Sequence, residues 1–221
     1  MGISTGAGVV IAQFFGAGNT CKMKRAIHNS IALTLVMGVV LTIVGLLFND
    51  PILKAIGVPS EVFSEASTYL SIYFWSLIFV MVYNMGSGIL RSVGDSKRPL
   101  YFLIFSSVVN IILDFLFVKY FHFGVAGAGY ATLIAQAISA IMVMYVLMKT
   151  EDDYKVVLKE IGFDKEILLK IIKIGLPTGF QQSIVSLSNV IVQSYINVYG
   201  ASVIAGYSVT IKIDGFVNLP L

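Results

Sequence analysis

Residues 99–120 read PLYFLIFSSVVNIILDFLFVKY, a run of 22 residues in which Asp114 and Lys119 are the only charges. A membrane-spanning helix needs about 20 predominantly apolar residues, so this stretch is long enough to cross a bilayer. Gly94-Asp95-Ser96-Lys97-Arg98-Pro99 stands in front of it. The glycine and polar residues stop a preceding helix, Asp95 or Ser96 can cap the next one, and Pro99 suits a first helical turn. Behind it, Tyr120 to Gly124 leaves room for only a tight link before a second apolar run at 124–148. The two runs are therefore expected to be antiparallel neighbours.

The same reading extends in both directions. Further apolar runs cover 2–18, which is short and glycine-rich, then 27–48, 66–90, 171–197 and 201–221. Asn49-Asp50-Pro51 and Gly57-Val58-Pro59-Ser60 mark a turn-rich loop before residue 66, and Tyr199-Gly200 separates the last two runs. Composition agrees, with 57% hydrophobic and 12% charged residues and a mean hydropathy of +0.88. A soluble domain carries about 25% charged residues, so the surplus apolar surface here has to face lipid. The expected fold class is all-α, a polytopic transmembrane helix bundle with the lipid bilayer as its first partner. Residues 1–18 carry no charge, unlike the positive start of a secretory leader, and read as part of a membrane helix. The run at 201–221 ends on the last residue without polar flanks, and the start is equally abrupt, so a longer protein is expected around this chain.

Other classes lack their residues. Cys21 is the single cysteine, and His28 and His122 match no metal-ligand spacing. There is no phosphate loop and no nucleophile beside a base, and Gly16-Ala17-Gly18-Asn19 is a helix end with no strand around it. A net charge of +3 gives no footing for nucleic acid. The chain is not expected to be an enzyme, nor to need a cofactor or an obligate protein partner.

The cations set the orientation. Lys22, Lys24 and Arg25 follow the first run, and Arg91, Lys97 and Arg98 follow the run at 66–90. Lys149, Lys155, Lys159, Lys165, Lys170 and Lys173 follow the run at 124–148. The alternate loops hold only Lys54 and Lys119, and Lys212 lies inside a run. Positive loops stay in the cytoplasm, so 19–26, 91–98 and 149–170 are expected there, in a multi-pass plasma-membrane protein. Tyr69, Tyr73 and Trp75 fit an aromatic belt near the outer end of their helix. Within 149–170, Tyr154, Val157, Leu158 and Ile161 fall at i, i+3, i+4 and i+7, one apolar stripe on a charged segment. That pattern predicts a helix, either lying on the membrane surface or running as a solvated connector.

Charges within spans are costly and point to function. Asp114 sits four residues after Asn110, so both share one helix face, which should turn inward. A desolvated carboxylate of this kind suits reversible binding of H+ or Na+; hydration near the outer interface is the other reading. Thr132, the first aliphatic hydroxyl of the next helix, is expected at a similar depth, where it either completes a cation site or bonds its own backbone. Pro177 should bend or loosen the helix at 171–197. Gln181, Gln182, Ser183, Ser186, Ser188, Asn189 and Gln193 follow it, a run too polar for lipid. Gln181, Gln182, Ser186 and Asn189 are candidates to line a hydrated substrate cavity, with a satisfied helix–helix seam as the alternative. Lys212 and Asp214 are two apart and do not share a face.

Taken together, Ile11-Ala12-Gln13-Phe14-Phe15-Gly16-Ala17-Gly18-Asn19, Leu90 to Pro99, Asn110-Ile111-Ile112-Leu113-Asp114, Gly124 to Thr132 and Ile174-Gly175-Leu176-Pro177 resemble the multidrug and toxic compound extrusion (MATE) family. They run in the family's order over nearly the whole chain. The resemblance implies twelve helices in two six-helix lobes, with this sequence supplying helices 2 to 8 and lacking helix 1 and the C-terminal helices. Residues 1–148 would belong to the N-terminal lobe, 149–170 would be the cytoplasmic inter-lobe connector, and 171–221 would begin the C-terminal lobe. It further implies export of amphipathic, small organic cations driven by inward Na+ or H+, in a prokaryotic membrane. Family members with an N-lobe cation site use an acid on helix 1, outside this sequence, with an Asn, an Asp and a Thr that match Asn110, Asp114 and Thr132, which makes Asp114 a candidate Na+ ligand. The alternative acid after the proline of helix 7 has no counterpart here. A lipid-linked oligosaccharide flippase of the same superfamily would line its cavity with cations, and a non-transporting scaffold would leave the Asn–Asp pair without a purpose.

Overall fold

The computed structural model of the chain describes residues 2–56 and 58–197, so the run at 201–221, with Lys212 and Asp214, and the side chain of Gln193 lie outside the described residues. Those residues form helices and no strand. The helices are α1 (Gly2–Gly16), α2 (Thr20–Leu47), α3 (Asn49–Ile56), α4 (Ser60–Ser92), α5 (Lys97–Phe115), α6 (Gly124–Lys149) and α7 (Lys165–Asn197). A π-helical turn, Leu116–Tyr120, extends α5. Four helices are long and apolar enough to cross a membrane: α2, α4, α5 with its π turn, and α6. The glutamines, serines and asparagine after Pro177 keep α7 out of that set, and α1 is shorter, at 15 residues.

The chain divides into two compact units at the proline of α7, the first being Met1–Leu176 and the second starting at Pro177. In the first unit α4 is central, packing on α1, α2 and most extensively α6, while α6 also packs on α5. The core lies toward the ends that carry the basic loops. Ile11 of α1, Ile27 of α2, Ile89 and Leu90 of α4, Val143 and Leu147 of α6 and Ile171 of α7 are all fully buried there. The outer faces of the same helices stay apolar and exposed, for example Leu103, Ile104 and Phe105 on α5. Without a hydrophobic force between helices in lipid, close packing of small residues must hold such a bundle. A Cβ on Gly86 would meet both methyls of Val143 at 2.8 Å, and one on Gly6 would meet the backbone of Gly175 at 2.5 Å. Gly86→Leu should therefore lower stability by about 1–3 kcal/mol through overpacking, because a β-branched valine has little freedom to yield. The check is the thermal unfolding midpoint in detergent, with Val143→Ala in the same chain expected to restore much of the loss.

Helix ends follow local chemistry. The side chain of Asn19 accepts from Lys22 N–H at 3.1 Å, which starts α2 seven residues before the apolar run at 27–48. At α5 the cap is Asp95, whose carboxylate accepts from Arg98 N–H at 3.1 Å, while Ser96 makes no capping bond. The turn-rich loop expected between α2 and α4 contains the short helix α3, and Asn49 at its start donates to Ser67 C=O at 2.9 Å.

The segment after α6 corrects the expected amphipathic helix. Beyond Lys149 the chain is irregular apart from one 3-10 turn, Leu158–Glu160, and α7 begins at Lys165. Its apolar residues are used one at a time: Val156 is 2% exposed in the core, with Tyr154 and Ile161 packed against it, while Leu158 is exposed. The backbone is held from outside the segment. His28 on α2 is 3% exposed, donates from Nδ1 to Lys24 C=O at 2.7 Å, and accepts Val157 N–H on Nε2 at 2.9 Å. Asn29, fully buried, donates to Asp164 C=O at 2.7 Å. The Asp164 carboxylate in turn accepts Glu166 N–H at 3.0 Å and caps α7. Lys24–Asp153 at 3.3 Å and Arg25–Asp164 at 3.8 Å add outer ion pairs. Hydrogen bonds from Thr150 and Tyr154, with a smaller contribution from the Arg98 charge, hold the Asp152 carboxyl below its usual range.

Candidate functional site

Asn110 and Asp114 lie one turn apart on α5, both half-buried. Asn110 Nδ2 and Asp114 Oδ1 are shut away from solvent, and neither has a hydrogen-bond partner among the described residues. Such buried, unpartnered atoms are uncommon in folded proteins. No ion pair reaches Asp114 among the described residues; Lys119, the nearest cation along the chain, stacks over the Phe115 ring at 4.6 Å. The two orphaned groups thus leave an unsatisfied donor and an unsatisfied acceptor on one helix face. An amide can turn by half a revolution, so Asn110 is able to present either its nitrogen or its oxygen to a neighbour.

α6 supplies the facing wall. The link between the helices is tight: Phe123 N–H donates to Phe117 C=O at 3.0 Å, and His122 and Gly124 both take positive φ, at 54° and 56°. A Cβ on Gly127 would touch Phe117 Cβ at 3.1 Å, which fixes the register of the α5–α6 hairpin. Counting antiparallel from that contact puts Thr132 within about one helical turn of the depth of Asp114. Thr132 is half-buried, and its hydroxyl donates to Ala128 C=O at 3.0 Å. The hydroxyl hydrogen is therefore committed to its own backbone, and only the oxygen lone pairs are offered outward. The structure pairs Asn110 with Asp114 on one face and brings α6 against α5; it records no direct bond from Thr132 to either. Among the described residues no three His, Cys, Asp or Glu side chains cluster as a metal site, so an ion here would rest on one carboxylate with amide and hydroxyl oxygens. Oxygen donors of that kind suit a hard cation.

In the second unit, Gln181, Gln182, Ser186 and Asn189 are all exposed on α7. Ser186 donates to Gln182 C=O at 2.9 Å and Ser183 to Gly179 C=O at 2.9 Å, so these hydroxyls bond their own helix. Gln182, Ser186 and Asn189 follow a spacing of four and three and share a face. Pro177 lies inside α7, and the helix continues through it.

A cavity of about 550 Å³ between α1 and α4 escaped the sequence reading. Its walls are two ladders of small residues at a spacing of four, Ser4, Gly8 and Ala12 facing Asn84, Gly88 and Ser92. Ser92 Oγ lies 2.9 Å from Gly8 C=O and 2.6 Å from Gly88 C=O, tying the two helices together. The matched ladders were the available signal, hidden because 84 residues separate Gly8 from Ser92. Arg91 also lines this cavity.

The chain is similar to known proteins in both sequence and fold. The MatE family model matches residues 1–116. The chain is 33% identical to the probable multidrug resistance protein YoeA of Bacillus subtilis, covering all of this chain and 49% of that protein. It is 28% identical to the multidrug export protein MepA of Staphylococcus aureus, over 97% of this chain and 48% of that one. Among solved structures, an outward-facing multidrug resistance MATE family transporter of the MOP superfamily superposes with a TM-score of 0.85 at 28% identity, over 97% of this chain and 48% of the other. A MOP superfamily transporter from Pyrococcus furiosus, whose reverse binding-pocket polarity suggests a different function, superposes at 0.86 with 28% identity, over 96% and 48%. The chain spans about half the length of the relatives it matches.

Proposed function

This chain belongs to the MatE family, and from that premise we propose that the protein works as a secondary active antiporter, exporting amphipathic or cationic drugs and metabolites in exchange for Na+ or H+. It is a multi-pass membrane protein related to transporters rather than to enzymes. We place it in a bacterial plasma membrane with the loops at 19–26, 91–98 and 149–170 in the cytoplasm. The coupling cation binds Asp114 with help from Asn110 and Thr132. The observation that carries this reading is the buried Asp114 oxygen and the buried Asn110 amide, both without partners on adjacent turns of α5. In the export cycle the cation neutralises Asp114 and lets the face of α5 repack, while Gln182, Ser186 and Asn189 offer hydrogen bonds to cargo. Exchange arises only if cation and cargo prefer different states of the protein, since equal affinity for both shifts nothing.

The flippase reading is weaker. Pyrophosphate calls for clustered cations, and Arg91 is the single charged residue lining the cavity between α1 and α4. The deciding experiment reconstitutes the protein at its full natural length in proteoliposomes and follows a fluorescent organic cation under imposed Na+ or H+ gradients. Efflux that follows one gradient is the expected result and names the coupling ion. No movement of the dye under either gradient would sink the drug-export reading.

A further inference from the structure

Arg91 is a charge in the cavity between α1 and α4 that cation-coupled export does not use. It sits in the last turn of α4, exposed, on a wall with no Asp or Glu. Neighbouring cations are differently placed: Arg98 pairs with Asp95 at 3.3 Å, Lys24 with Asp153 at 3.3 Å and Arg25 with Asp164 at 3.8 Å. Among the described residues Arg91 has no ion-pair partner. An arginine that only fixes membrane orientation needs no cavity beside it. One turn-pair back on the same helix, Asn84 donates through Nδ2 to Val80 C=O at 2.8 Å, which leaves its second amide hydrogen and its carbonyl oxygen for another molecule. Ser4 adds a hydroxyl from α1, and Val9 and Ala12 give the cavity an apolar side. The charged and donor groups all favour an acceptor-rich guest.

We propose that Arg91, with Asn84, forms a binding subsite for an oxyanion, a carboxylate or phosphate carried by an amphiphilic molecule whose apolar part lies along Val9 and Ala12. A guanidinium presents its N–H donors in a planar fork that matches a carboxylate or phosphate two bonds at a time, and partial enclosure strengthens such contacts over their value in water. The volume of about 550 Å³ falls in the range of small-molecule sites. Treating that molecule as cargo rests on the efflux reading; oxyanion binding at Arg91 does not.

The test uses rhodamine B, which carries a free carboxylate, beside its ethyl ester, which lacks one. Full-length wild type, Arg91→Gln and Arg91→Lys are reconstituted in phosphatidylcholine vesicles with and without phosphatidylglycerol. Arg91→Gln is expected to lower rhodamine B transport about tenfold, the scale of one lost charge-assisted hydrogen bond, and to leave the ester unchanged. Arg91→Lys keeps the charge without the fork and should fall between. If phosphatidylglycerol raises the KM for rhodamine B in the wild type but not in Arg91→Gln, a lipid phosphate occupies the same subsite. Equal effects of Arg91→Gln on both dyes, or none on either, would overturn the proposal. If the wild type exports neither dye, the efflux reading fails on its own, and fluorescence polarisation of rhodamine B with purified wild type and Arg91→Gln still decides the subsite: weaker binding by the variant supports it, and equal binding overturns it.

Discussion

Asp114→Asn is expected to abolish ion-driven efflux, a loss of about a hundredfold or more in gradient-dependent transport, while leaving the protein folded and able to bind its cargo. The side chain is replaced by one of nearly the same shape, and Asp114 Oδ1 has no hydrogen bond in the structure to lose. Stability should therefore change little. The negative charge that an entering cation neutralises is removed, and without it the cation has no differential affinity for one state of the helix pair. The measurement compares wild type and variant for dye efflux under the gradient that drives the wild type, with dye binding to the purified proteins read separately. Equal transport by both would make Asp114 a structural residue and move the coupling site elsewhere. Loss of dye binding together with transport would assign Asp114 to the cargo instead.

The second large effect is on stability. His28→Ala should cost about 2–4 kcal/mol, because it removes the acceptor of the Val157 N–H and leaves a void at a position that is 3% exposed. Asp153→Ala, which breaks the outer pair with Lys24, should cost less than about 1 kcal/mol, since both partners are substantially exposed. His28→Gln retains a side-chain acceptor and should recover part of the loss. The thermal midpoint in detergent reads the stability change. Limited proteolysis within 150–164 reads the seat of the connector directly. A His28→Ala protein as resistant to cleavage as the wild type would mean that Val156 and its apolar neighbours seat the segment without the imidazole.

The membrane class, the positions of the apolar helices among the described residues and the one-turn spacing of Asn110 and Asp114 were legible in the sequence. Hydropathy over 20 residues and a spacing of four are local properties of the chain, and in a bilayer the backbone has few other ways to satisfy its hydrogen bonds. The cap at Asp95 was one of two choices at sequence level, and only the geometry of the turn selected it over Ser96. The connector was misread for a reason that pattern cannot supply. Tyr154, Val157, Leu158 and Ile161 satisfy a helical period, yet the partners for this backbone come from His28 and Asn29, 129 and 135 residues away. Its stripe is spent on separate contacts because tertiary hydrogen bonds outcompete a short helix that is marginal in water.

What the sequence determined by itself is thus the membrane-spanning character of the chain, the four spans in α2, α4, α5 and α6, and an Asn and an Asp one turn apart on α5, each set by a pattern within a single helix. What only the tertiary structure decided is the strap across α2, the cavity between α1 and α4 with Arg91 on its wall, and the commitment of the Thr132 hydroxyl to Ala128. The first two depend on which distant helices meet and in what register, and the third on which bond a rotatable hydroxyl takes once its neighbours are packed, a choice that the spacing of residues along the chain leaves open.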